Sequence, residues 1–236
     1  MLKKVTEIIL DFLLPHTCLH CKEPLQSYGL CIDCFKGIKA ITDPQCISCG
    51  HPFSNRMNGK KCGKCLKKDP PLIIRSAVIY TDKSKVGILA LKHADRHEIA
   101  PHMAKAMLPN IKKFIDNIDY IIPVPLHRRR LLSRRYNQSA DIARSLSKLI
   151  EKPVLTNILV RVRNTESQGK KSFKKRHQNL HKAFAINNPK KIHGKNILLV
   201  DDVYTSGATL IHCANTLHTA KVNIIIGTTY GRVVKS

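Results

Sequence analysis

The stretch Ile197-Leu-Leu-Val-Asp201-Asp202-Val203-Tyr204-Thr205-Ser206-Gly207-Ala208-Thr209 decides how this chain is read. Four apolar residues run into two adjacent carboxylates, then a short turn of hydroxyls and glycine, then the apolar-periodic run Leu210 to Leu217. This order predicts a buried strand over 197–200, an anion-binding loop and the first turn of a helix. Backbone N–H groups in such a loop point at a phosphate. Thr205, Ser206 and Thr209 add hydroxyl donors, and Gly207, before Ala208, lets the backbone come close. Asp201 and Asp202 would repel a phosphate. They make sense beside sugar hydroxyls or a hydrated Mg²⁺; the alternative is an ordinary acidic turn.

The segment resembles the phosphoribosyl pyrophosphate (PRPP) signature of type I phosphoribosyltransferases. That resemblance implies carboxylates at the ribose hydroxyls (Asp201 and Asp202, the catalytic pair) and a loop, Thr205 to Thr209, around the 5′-phosphate.

Working outward, nine cysteines are present and eight precede Asp69, as four C-x-x-C pairs: Cys18/Cys21, Cys31/Cys34, Cys46/Cys49 and Cys62/Cys65. Two thiolates three residues apart on a tight knuckle reach one tetrahedral Zn²⁺, so four pairs fill two shells and leave no open catalytic position. Disulfides are the alternative, but C-x-x-C spacing strains a direct bridge and no secretion signal accompanies it. Sequential filling, Cys18–Cys34 on one ion and Cys46–Cys65 on the other, needs only two short hairpins; an interleaved cross-brace is the competing scheme. The metals would hold together a module with little core of its own. Cys213, the ninth, reads as a small packing residue.

The chain of 236 residues has room for an α/β domain plus this module. Its formal charge of +25 falls to about +21 once each four-thiolate zinc site counts as −2. Such a field attracts nucleic acid, anionic surfaces or phosphorylated ligands, unless it only reflects a lysine-rich composition. No window of about 18 apolar residues is found, so no membrane span is expected. Leu2, Val5, Ile8, Ile9, Phe12 and Leu13 share one helical face, and Glu7 and Asp11 interrupt any signal-like run. A docking helix is expected there, with a membrane-surface anchor as the alternative.

Asp69-Pro70-Pro71 marks a boundary between 1–69 and 70–236. Beyond it, strands are expected at 73–80, 120–125, 154–162 (mostly extended), 184–186, 197–200 and 222–227. Helices are expected from Val86 onward past Pro101 with a break there, at 111–118 and at 136–149, the last with Ala140, Ile142, Ala143, Leu146 and Leu149 inward. The alternation predicts an α/β fold: a mostly parallel sheet flanked by helices, with ligands at the strands' C-terminal ends.

After Pro123-Val124-Pro125 come five arginines within eight positions, Arg128 to Arg130, Arg134 and Arg135, followed by Tyr136-Asn137-Gln138-Ser139. Guanidinium groups grip phosphate oxygens bidentately. From Arg161 to Lys195 eleven lysines and arginines face one acid, Glu166.

Taken together, the cysteine pairs, Pro123-Val-Pro-Leu-His-Arg-Arg-Arg130, Arg134-Arg-Tyr-Asn-Gln138, Arg161-Val-Arg-Asn-Thr-Glu-Ser-Gln168, Arg176-His-Gln-Asn179 and Asp201 to Thr209 resemble the ComF family: a double zinc ribbon followed by a type I phosphoribosyltransferase-like domain. The family usually reads R-G-F-N-Q where this chain has Arg134-Arg135-Tyr136-Asn137-Gln138. The resemblance implies two structural Zn²⁺ ions, Mg²⁺ with PRPP, and pyrophosphate near Val124, Pro125, Arg134 and Arg135. It also implies a mobile flap carrying Gln168, Arg176 and Asn179, and a cytoplasmic role in natural competence with imported single-stranded DNA and helicase-type competence proteins. An active phosphoribosyltransferase with an unidentified acceptor is the alternative, although no base-binding hood is recognisable before the sequence ends soon after Arg232. Scarce aromatics, with no Trp, argue against a broad base-stacking platform.

Overall fold

A computed structural model describes residues 17–26, 29–53, 60–93, 96–127, 131, 136–163 and 183–234. The expected N-terminal docking helix lies outside them, as do the arginines of the 128–135 loop and the flap residues Gln168, Arg176 and Asn179.

The described residues form a four-stranded parallel sheet in the order β1–β6–β5–β2, comprising β1 (Ile73–Ile79), β2 (Tyr120–Pro123), β5 (Ile197–Tyr204) and β6 (Ile225–Arg232). A separate antiparallel pair joins β3 (Leu159–Arg161) to β4 (Phe184–Ile186). Helices α3 (Asp82–His93), α4 (Ile99–Ile111) and α5 (Gln138–Ile150) pack on one face through a cluster holding Leu91, Met103, Ile142, Leu198 and Val200. Helix α6 (Ala208–His218) and the β3–β4 pair cover the other through Ile122, Phe184, Leu199, Leu210 and Leu217. A strand covered on both faces needs an uninterrupted apolar run, and Ile197 to Val200 are each 0% exposed.

Several boundaries move. Strand β5 runs four residues past Val200 because β6 keeps pairing with it, through Asp201↔Thr229 and Tyr204↔Arg232. Strand β6 likewise begins later and extends to Arg232, its polar residues buried: Thr229 shares a 2.8 Å hydroxyl bond with Ser76 of β1. The break expected at Pro101 precedes it. Pro101 sits in the first turn of α4, where a missing N–H costs nothing. Residues Lys112–Asn117 are a 3₁₀ turn, and within 154–162 only Leu159–Arg161 is a strand. In α5 Ile150 is inward while Leu149 is 39% exposed, since Ile142, Leu146 and Ile150 repeat every four residues.

The cysteine module is built into this core. Short helices α1 (Ile32–Lys36) and α2 (Gly63–Lys67) each follow a ligand cysteine. Leu19 is 1% exposed, among Ile88, Leu91 and Met103. Cys46, Cys49 and Cys65 share the other cluster with Leu72 and Ile74. The module also covers edge strand β1: Ile41 N–H donates to Ala77 O, Ile79 N–H to Lys39 O and Ile74 N–H to Ser48 O, each 2.8 Å. An uncovered edge would invite pairing with other chains. Gly50, at φ +68°, permits the approach: a Cβ there would lie 2.6 Å from Ile74 O.

Candidate functional site

Successive strand residues face opposite ways, so the two acids diverge. Asp201 continues the Ile197/Leu199 face, where it lines a small depression with Val203 to Thr205 and Gly207 to Leu210. Its Oδ1 accepts from Ser139 Oγ at 3.0 Å and from Asp202 N–H at 2.9 Å. Asp202 continues the Leu198/Val200 face and pairs with Lys92 Nζ of α3 at 2.5 Å. Burial, reinforced by the Asp202 charge, pushes the Asp201 carboxyl up to about 7 against the Asp202 N–H, Lys92 and Ser139, which favour its ionised form.

The loop after β5 turns sharply at Gly207, φ +79°, which caps α6; Ile211 N–H donates to Gly207 O at 2.9 Å and Ala208 N–H to Ser206 Oγ at 3.4 Å. A helix N-terminus at the C-terminal end of a central parallel strand is where backbone donors meet an anion. The depression is about 10 Å³, room for one water. Its floor is tight because the Tyr204 phenol lies against Gly207: a Cβ on that glycine would sit 2.5 Å from Tyr204 Oη.

Val124 N–H donates to Val200 O at 2.8 Å, and Val124 O accepts from Asn137 Nδ2 at 3.0 Å. Pro125 follows with no N–H to offer. The Tyr136–Ser139 string is structural as well as local to the site. Tyr136 Oη donates to Leu91 O at 2.6 Å, Asn137 caps α5 by accepting from Ser139 N–H at 3.1 Å, and Ser139 reaches Asp201. Roles for Ser139, Tyr204 and Arg232 are not read from the sequence; Ser139 and Tyr204 belong to strings already singled out, whereas nothing local marks Arg232. The β3–β4 pairing, Arg161↔Phe184, sets residues on either side of Gln168, Arg176 and Asn179 next to each other.

Both sets of four cysteines converge. In Cys18/Cys21/Cys31/Cys34 and in Cys46/Cys49/Cys62/Cys65 all sulfurs lie within 4.8 Å of one another, against about 3.8 Å in a tetrahedral site with Zn–S near 2.3 Å. Pairing is therefore sequential. The ribbons repeat one pattern: Cys31 N–H points at Cys18 Sγ and Cys62 N–H at Cys46 Sγ, both 3.3 Å. Burial raises these two thiols, but the surrounding N–H donors outweigh it and bring Cys18 to about 6 and Cys46 to about 7. Two buried arginines grip the Cys46/Cys49 knuckle. Arg75 donates to Ile74 O at 2.7 Å and Ile47 O at 3.0 Å; Arg232 donates to Cys49 O at 2.6 Å and Cys49 Sγ at 3.5 Å. A dianionic zinc–thiolate centre is a fitting neighbour for such guanidiniums, whose burial is costly without negative charge nearby. Cys213 is fully buried, and burial pushes its thiol up, as a packing residue requires.

Residues 9–66 match the double zinc ribbon domain and residues 137–233 the phosphoribosyl transferase domain. Fold and site define a class: a double-zinc-ribbon protein with a phosphoribosyltransferase-like α/β domain. The chain is 32% identical over 203 residues to Competence protein F of Haemophilus influenzae, covering 82% of this chain and 86% of that protein. It is 31% identical over 214 residues to the DNA utilization protein YhgH of Salmonella typhi (86% and 91% covered). Competence protein ComFC of Bacillus subtilis is 29% identical over 193 residues (80% and 77%). The chain belongs to the ComF family. Among solved structures, a hypoxanthine phosphoribosyltransferase from Staphylococcus aureus aligns with TM-score 0.40 and 15% identity over 59% of this chain and 76% of that one. No helix among the described residues is long and apolar enough to cross a membrane.

Proposed function

We propose that this chain acts in natural transformation, binding Mg²⁺–PRPP at the β5–α6 corner and handling imported single-stranded DNA in the cytoplasm. One observation carries the ligand assignment: an acid positioned by Ser139 stands beside a glycine-capped helix N-terminus at the C-terminal end of a central parallel strand. The 5′-phosphate would take the amides and hydroxyls of Thr205 to Thr209, which requires the depression of about 10 Å³ beside them to widen on binding. Asp201 and Asp202 would hold ribose hydroxyls, directly or through the metal. Arg134 and Arg135 would meet the pyrophosphate beyond Val124 and Pro125, and Gln168, Arg176 and Asn179 would close over it. Mg²⁺ would offset charge on the phosphate oxygens.

Calorimetry with PRPP tests this reading. Binding is expected to require Mg²⁺ and to vanish in the Asp201→Asn/Asp202→Asn double variant; an unchanged affinity in that variant would remove the assignment. Turnover with an unidentified acceptor is the second reading, supported by the match of residues 137–233 to the phosphoribosyl transferase domain; incubation with candidate acceptors should then be followed by pyrophosphate release.

The DNA reading draws on the names of the relatives and on the charge of +25. Phe35, 70% exposed on the first ribbon, offers an aromatic face. Binding of a single-stranded oligonucleotide is expected to weaken at least about 100-fold between 50 and 200 mM salt. A flat response in a fluorescence-anisotropy titration would count against it.

A further inference from the structure

Arg232 touches two things at once. At one end its guanidinium donates to Cys49 O at 2.6 Å and approaches Cys49 Sγ at 3.5 Å. Its Cζ lies over the Tyr204 ring, 4.3 Å from the ring centre. The phenol of Tyr204 in turn packs on Gly207, the left-handed residue that turns the loop into α6. Backbone pairing holds the stack in register: Tyr204 is the partner of Arg232 in the β5–β6 ladder, and Val233 N–H donates to Tyr204 O at 2.9 Å. Arg232 is only 4% exposed, so it has little room to relax.

We propose that Arg232 is a positioning residue that joins the second zinc centre to the phosphate loop, with Tyr204 as the connecting plate. The four-cysteine centre fixes the Cys49 carbonyl and sulfur; these orient the guanidinium; the guanidinium fixes the tyrosine ring; and the ring supports Gly207 from below. The zinc ribbon thereby shapes the anion-binding loop without contributing a ligand to it. The link favours a flat cation: a lysine ammonium is a point charge that, once bonded to Cys49 O, has no planar face left to hold the ring in place. The part of this idea that concerns sugar-phosphate affinity rests on the ligand reading above; the mechanical part does not.

Amide hydrogen exchange on the zinc-loaded, ligand-free chain separates the two. Arg232→Ala is expected to speed exchange about 10-fold both at residues 46–51, where Gly50 N–H donates to Cys46 O, and at residues 205–211, while residues 17–34 keep wild-type rates. Arg232→Lys is expected to restore 46–51 and leave 205–211 fast. Tyr204→Leu, which keeps the arginine, should loosen 205–211 and also hasten loss to a chelator of one of the two zinc ions. Wild-type exchange at 205–211 in Arg232→Ala overturns the proposal, as does full restoration of both segments by lysine. Should Arg232→Ala not fold, the Arg232→Lys and Tyr204→Leu results decide alone. A wild-type chain that binds no PRPP would defeat the ligand reading and leave these exchange outcomes to stand on their own.

Discussion

Loss of zinc from the second centre is expected to unfold the whole chain in one transition, well beyond the ribbon itself. Cys46, Cys49 and Cys65 are buried in the cluster that holds Leu72, Ile74, Leu199 and Leu210. Freed of metal, their sulfurs and the gripping guanidiniums of Arg75 and Arg232 become buried polar groups without their counter-charge. Edge strand β1 would also lose three backbone bonds to the module. Structural zinc contributes about 10–16 kcal/mol in small zinc-finger peptides, as much as the whole stability of an ordinary domain, about 5–15 kcal/mol. Cys65→Ser should therefore abolish soluble, cooperative folding. Cys21→Ser, at an exposed ligand of the first centre, should be milder. Circular dichroism during chelation checks this. Two separated transitions, ribbon first and sheet later, would show that the module is an independent bead.

Replacing Asp201 with asparagine should abolish ligand binding and, at alkaline pH, make the protein more stable. The folded carboxyl is raised to about 7 from its usual 3.8, chiefly by burial and then by the Asp202 charge. Between those two values the folded chain holds a proton that the unfolded chain has released. Stability from this group is present below pH 4 and lost as pH rises through 7. At one pH unit per about 1.4 kcal/mol, the loss is at most about 4 kcal/mol. Asparagine keeps an Oδ1 acceptor for Ser139 Oγ and Asp202 N–H but carries no charge. The difference in melting temperature between variant and wild type should be small at pH 4, grow across pH 4–7 and level off above 7, in favour of the variant. Parallel pH profiles would refute a half-buried, reluctant carboxylate.

Ligand binding should expose the same group. Ribose hydroxyls or a metal ion favour the ionised form, so PRPP binding below pH 7 is expected to release protons. Calorimetry in buffers of different ionisation enthalpy would register that release.

What could be read from the chain was contiguous in it. C-x-x-C spacing announces a metal knuckle because both ligands belong to one turn. The Ile197 to Thr209 order announces strand, acids and anion loop because each is the next few residues. The alternation of strands and helices carried the parallel α/β class. Periodicity failed where partners, not propensity, set the limits: β5 continues through Asp201 and Tyr204 only because β6 lies alongside, and Leu149 gives its inward place to Ile150 by the packing of α5.

The sequence by itself determined the two zinc ribbons, the α/β class and the location of the acid-and-hydroxyl corner, since each is written in residues a few positions apart. Only the tertiary structure decided sequential cysteine pairing, the divergence of Asp201 towards Ser139 and Asp202 towards Lys92, and the stack of Cys49, Arg232 and Tyr204. Those contacts span 62 residues between Ser139 and Asp201 and 183 between Cys49 and Arg232. Such distances are closed by strand order and sheet twist, which no local pattern encodes.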